Sequence, residues 1–90
     1  MSFNRKSIIV KLNNSLIYEV LLTWRIDNIS IENLNWYVNV TKLLPLESCT
    51  VELKAIVVSA MLTEGRHILQ VEVKGPSIRI IKEIPFTVTD

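Results

Sequence analysis

Few side chains in this sequence could carry chemistry: one histidine, His67, one cysteine, Cys49, and nine carboxylates spread along 90 residues. A Cys and His pair would supply a nucleophile with its base, and paired carboxylates an acid with a base. Spacing assembles neither. His67 has no second His, no nearby Cys and no clustered carboxylate, so it reads as a structural histidine rather than a metal ligand or catalytic base. Glu47, Glu52, Glu64, Glu72 and Glu83 are scattered, and where a strand pattern is clear they alternate with apolar residues as a solvated face does. Gly65 and Gly75 stand too far apart to write a phosphate-binding loop. The expectation is a protein without catalytic activity, cofactor or metal.

Charge and composition narrow the partners. Ten basic against nine acidic residues leave a net charge of +1, with Lys and Arg spread along the chain, so nucleic acid is not expected. The lone Cys49 forms no intramolecular disulfide, and as a small hydrophobe on a strand it belongs to the core. The N-terminal MSFNRKSIIVKLNNS has an apolar run of only Ile8 to Val10, too short for a signal peptide. No run approaches the ~20 apolar residues of a membrane helix, so membrane insertion is not expected either. The chain reads as soluble, and a domain of a longer exported or particle protein would read the same. Three sequons, at Asn13, Asn28 and Asn39, are chance occurrences in an Asn-rich chain.

The elements that position these groups follow from periodicity. A chain of this length buries roughly 60% of its unfolded surface, enough for one core, so residues 1–90 form one domain. Leu34, Trp36, Val38 and Val40 share one side of an extended run, and Asn35, Tyr37, Asn39 and Thr41 the other. Leu69, Val71 and Val73 point inward in the same way, against Ile68, Gln70, Glu72 and Lys74. Ile78, Ile80, Ile84, Phe86 and Val88 repeat the pattern, broken by Lys82, with a bend or new strand expected near Pro85. Tyr18, Val20, Leu22, Trp24 and Ile26 make a further inward row, and Ile8, Val10 and Leu12 the first. Asn13-Asn14-Ser15, Asp27-Asn28 and Gly75-Pro76-Ser77 mark turns.

Six extended runs result, near 6–12, 16–27, 33–43, 48–60, 66–74 and 78–89. Residues 50–62 fit two periods. Cys49, Val51, Leu53 and Ala55 alternate as a strand, while Leu53, Ile56, Val57, Ala60 and Met61 fit a helical stripe. The β-branched cluster Ile56-Val57-Val58 favours the strand. The alternative is an α+β fold with a helix near 50–62.

Leu62, Gly65, His67, Leu69, Val71 and Val73, followed by Phe86 and Val88, resemble the closing hairpin of bacterial immunoglobulin-like and fibronectin-type β-sandwich domains. The resemblance covers about a third of the chain and implies an immunoglobulin-like antiparallel β-sandwich of six to seven strands. It further implies a corner between sheets, with Gly65 at positive φ and His67 turned inward to bond the corner backbone. Trp36 resembles the core tryptophan of such sandwiches, without the two cysteines that accompany it in antibody domains.

Apolar surplus suggests what the domain does. Ile8-Ile9-Val10, Leu21-Leu22, Ile56-Val57-Val58 and Ile80-Ile81 put apolar residues on both sides of their strands, and at roughly 25 cal/mol per Å² such surface is costly to leave in water. Open edge strands of a small sandwich also invite pairing. The expected role is a protein-interaction or structural module, self-associating as a homo-oligomer or docked within a larger surface or particle assembly. Its interaction face would include Tyr37, Asn35, Asn39, Ile9, Leu21 and Ile81. The alternative is a carbohydrate-binding module in which Tyr37 stacks on a sugar ring while Asn35 and Asn39 bond its hydroxyls.

Overall fold

The computed structural model describes residues 2–89. The strands are β1 (Ser2–Phe3), β2 (Ser7–Asn13), β3 (Val20–Ile26), β4 (Ile29–Ser30), β5 (Trp36–Val38), β6 (Lys42–Leu43), β7 (Ser48–Ala55), β8 (Gly65–Lys74) and β9 (Arg79–Val88). A single 3-10 turn, Val58–Ala60, is the one helical element among the described residues. All strand pairs are antiparallel, and they form two sheets: β1-β2-β7-β5, and β4-β3-β8-β9 with β6 also on β3. Three of the nine strands are two residues long, which leaves six of substance.

The inward rows of β2, β3, β7 and β8 meet as expected, whereas Ile80 of the β9 row is exposed. Ile8 and Val10 on β2, and Val51 and Leu53 on β7, join Val20, Leu22, Trp24 and Ile26 on β3 and Leu69 and Val71 on β8 in one core. Each fully buried aliphatic side chain contributes about 1.5–3 kcal/mol. Both indoles are satisfied: Trp24 Nε1–H donates to Val40 O at 3.0 Å, and Trp36 Nε1–H to Ala60 O at 2.7 Å.

Turn chemistry places the reversals. Asp27 and Asn28 have φ of 53° and 66°, the two-residue hairpin conformation that short Asx side chains tolerate, and the turn joins β3 to β4. Asn14, almost fully buried, holds the β2–β3 connection: its Nδ2 donates to Tyr18 O and Leu44 O, both at 2.9 Å.

Three expectations are corrected. The run 33–43 is not one strand, because Asn35 turns the chain at φ 58°, β5 joins β7, and β6 crosses to pair with β3. The run 48–60 ends as a strand at Ala55, and Ile56, Val57 and Val58 are exposed. β9 passes through Pro85 without a bend or a new start, since that residue sits on the sheet edge.

Candidate functional site

The corner at Gly65 assembles the only histidine. Gly65 has φ +122°, a conformation that L side chains rarely adopt, and it starts β8 as the chain passes from one sheet to the other. His67 Nε2 lies 2.8 Å from Thr63 O, so the ring does bond the corner backbone. Its Nδ1 also meets Asp27 Oδ2 at 2.6 Å, and its face stacks on Phe86 at 5.7 Å between centroids. A carbonyl and a carboxylate both accept, so the doubly protonated ring is the form that satisfies both contacts. Burial disfavours that charge, but the Asp27 hydrogen bond, with Thr63 O, outweighs it and raises the pKa above its ordinary value. The sequence reading missed Asp27, whose only visible signal was its place in a turn.

Cys49 lies opposite Leu12 near one end of β7, while His67 lies beside the Asp27 turn at the other end of the molecule. They form no pair. Burial, then the nearby Glu47 charge, raise the Cys49 thiol pKa, which disfavours the thiolate.

The face expected from sequence is two faces. Ile9, across from Glu52, and Tyr37, across from Lys54, lie on the outer side of the first sheet. Leu21, across from Lys74, and Ile81, across from Glu72, lie on the outer side of the second. Asn35 stands in the turn before β5 at φ 58°, and Asn39 flanks exposed Tyr37 on the other side, its Oδ1 accepting the Glu52 N–H at 2.8 Å. Gln70 faces outward as expected yet is buried, because its Nε2 donates to Asn28 Oδ1 (2.6 Å) and Glu83 Oε2 (3.0 Å) while its Oε1 accepts from Asn28 N–H.

The exposed arrangement with most to offer a partner is the free edge of β9. Asp27 and Ile68 bond backbone to backbone, so the backbone groups of Ile68 point toward β3 and not toward its β9 neighbour Pro85. Antiparallel ladders alternate. Arg79, Ile81, Glu83, Pro85 and Thr87 therefore direct their backbone groups away from β8, toward an edge that carries no further strand among the described residues. Pro85, which has no N–H to offer, interrupts that row. At its far end β9 is partly covered, with Phe86 stacked on Phe3 at 4.7 Å. Among the described residues β1 pairs with Ile8 and Ile9, and beyond Val10 a cleft of about 140 Å³ lies between the sheets. Leu12, Leu22, Leu43, Val73, Ile78 and Ile80 line it, along with Lys82. Lys82 belongs to the inward row of β9 yet is exposed, at the rim of this cleft.

No family model matches this chain, and no curated protein does. Among solved structures it is similar to the periplasmic chaperone SfaE, with a TM-score of 0.64 and 11% identity over 92% of the chain. It is also similar to the CupB2 chaperone of Pseudomonas aeruginosa, with a TM-score of 0.66 and 15% identity over 93% of the chain. The chain spans 48% of the length of each. At such identities the likeness concerns the fold, an immunoglobulin-like β-sandwich, alone.

Proposed function

We propose that this domain is a non-catalytic protein-interaction module of the immunoglobulin-like and fibronectin type, which docks within a larger surface or particle assembly by accepting an extended segment at the edge of β9. The observation that carries this reading is the pairing of two features at one place. Outward backbone groups run from Arg79 to Glu83 without a proline, and the apolar cleft under Ile78 and Ile80 lies beside them. An added strand satisfies the backbone groups, and its alternate side chains reach the cleft. SfaE and CupB2, two solved structures of like fold, are named as chaperones, which agrees with a protein partner.

Proline substitutions test it. Ile81→Pro removes an outward N–H and leaves the β8 ladder intact, whereas Lys82→Pro removes an N–H that bonds Val71. Synthetic ten-residue peptides of alternating Val and Thr are titrated into the isotope-labelled chain. The expected result is perturbed amide resonances at Arg79, Ile81 and Glu83, lost in Ile81→Pro while its melting temperature stays close to that of the parent. Perturbation confined to other strands overturns the proposal.

A further inference from the structure

The order of charges along β9 favours one occupant of its edge. We propose that the edge pairs with β9 of a second copy of this chain, antiparallel about a two-fold axis through Ile81. This rests on reading β9 as the docking edge and names the strand that fills it.

The outward backbone groups belong to the odd-numbered residues, so a hydrogen-bonded ladder must set odd residues of one copy opposite odd residues of the other. Centring the pair on Lys82 places two ammonium groups across from each other, on Glu83 two carboxylates, and on Arg79 two guanidinium groups. Like charges in such positions are destabilising. A centre on Ile80 leaves Glu83 opposite Ser77, outside the strand, and forms no ion pair. Only a centre on Ile81 sets Arg79 opposite Glu83 twice, with no like charges facing.

The same register suits the remaining side chains. Ile81, 54% exposed, stacks on its symmetry mate on the outer face. Ile80, 43% exposed, lies opposite the aliphatic stem of Lys82 on the cleft side, where that stem can cover it. Arg79 holds Glu72 at 2.9 Å, and its remaining donors stay available to Glu83 of the second copy. Pro85 falls opposite Ser77, beyond the start of the strand, so its missing N–H deprives the ladder of nothing. About six backbone hydrogen bonds link the copies, and the second sheet continues from one into the next.

The test uses the 90-residue chain in sedimentation equilibrium at concentrations up to several hundred micromolar. A concentration-dependent dimer is expected. Arg79→Glu sets carboxylates face to face at both ion pairs and should raise the dissociation constant on the order of tenfold or more. The double variant Arg79→Glu/Glu83→Arg exchanges the charges and should restore the parental value to within about threefold. In a Cys49→Ser background, Ile81→Cys should cross-link to itself under mild oxidation and Glu83→Cys should not, since only Ile81 meets its own copy. Circular dichroism confirms that each variant folds.

A parent that stays monomeric throughout, or a double variant as weak as the single one, overturns the dimer. In the monomeric case, peptide-induced shifts at Ile81 keep the edge reading. A dimer unaffected by both Arg79→Glu and Ile81→Pro overturns the two together.

Discussion

His67 and Asp27, one on β8 and the other in the turn after β3, are joined by a 2.6 Å contact between Nδ1 and Oδ2. Asp27 closes the end of the β3–β8 ladder as well, since its Oδ1 accepts the Ile68 N–H at 2.9 Å and its own N–H donates to Ile68 O. One carboxylate thus ties a turn, a strand and the corner residue together. With Thr63 O on the other ring nitrogen, the geometry favours the protonated ring and raises its pKa.

That arrangement makes stability depend on pH. The His67 pKa is raised from 6.5 in the folded chain, so its stabilisation is fully present below the unfolded value and is lost as pH rises through the higher folded one. His67→Phe should be less stable than the parent by about 1–2 kcal/mol at pH ~5.5, and the gap should shrink by pH ~9. Urea unfolding at the two pH values measures it; a gap that stays constant would falsify the imidazolium assignment.

The two glycines should fail for different reasons. At Gly65 a Cβ meets nothing within 4 Å, but φ is +122°, so Gly65→Ala costs about 1–2 kcal/mol through backbone strain alone. At Gly75 a Cβ would lie 2.7 Å from Tyr18 Cε2, a steric conflict. A double-mutant cycle with Tyr18→Ala should therefore relieve Gly75→Ala and leave Gly65→Ala unchanged.

Gln70 offers a sharper electrostatic test. Gln70→Glu replaces the Nε2 donor with a carboxylate oxygen facing Glu83 Oε2 and Asn28 Oδ1. A loss of about 2 kcal/mol at neutral pH is expected, with partial recovery near pH 4 as a carboxyl protonates. Denaturation curves showing no loss at neutral pH would contradict the network.

Leu46 should be improvable. It holds a left-handed φ of 60° and is 67% exposed, so its side chain contributes little burial while its backbone carries strain. Leu46→Gly should leave stability unchanged or raise it by up to ~1 kcal/mol, read as a shift of a few degrees in the thermal midpoint. A clear drop would mean that Leu46 has packing the exposure does not reveal.

Alternation was enough to find the inward rows, because a pleated strand sends successive side chains to opposite faces whatever its neighbours are. Val20 to Ile26 and Leu69 to Val73 are legible for that reason, and so are the Asp27-Asn28 reversal and the Gly65 corner, which depend on local backbone energetics. The interaction face was not legible. Ile9 and Ile81 have the same apolar character, and nothing local reveals that they end on different sheets.

The amino-acid order by itself determined which side of each run avoids water and where the chain must turn, since both are settled within a few residues. Only the tertiary structure decided that Trp36–Val38 joins one sheet and Lys42–Leu43 the other, that Gln70 is buried on an outer face, and that Lys82 opens onto a cleft between the sheets. Those outcomes depend on which distant segment lies alongside, and a period of two carries no information about partners.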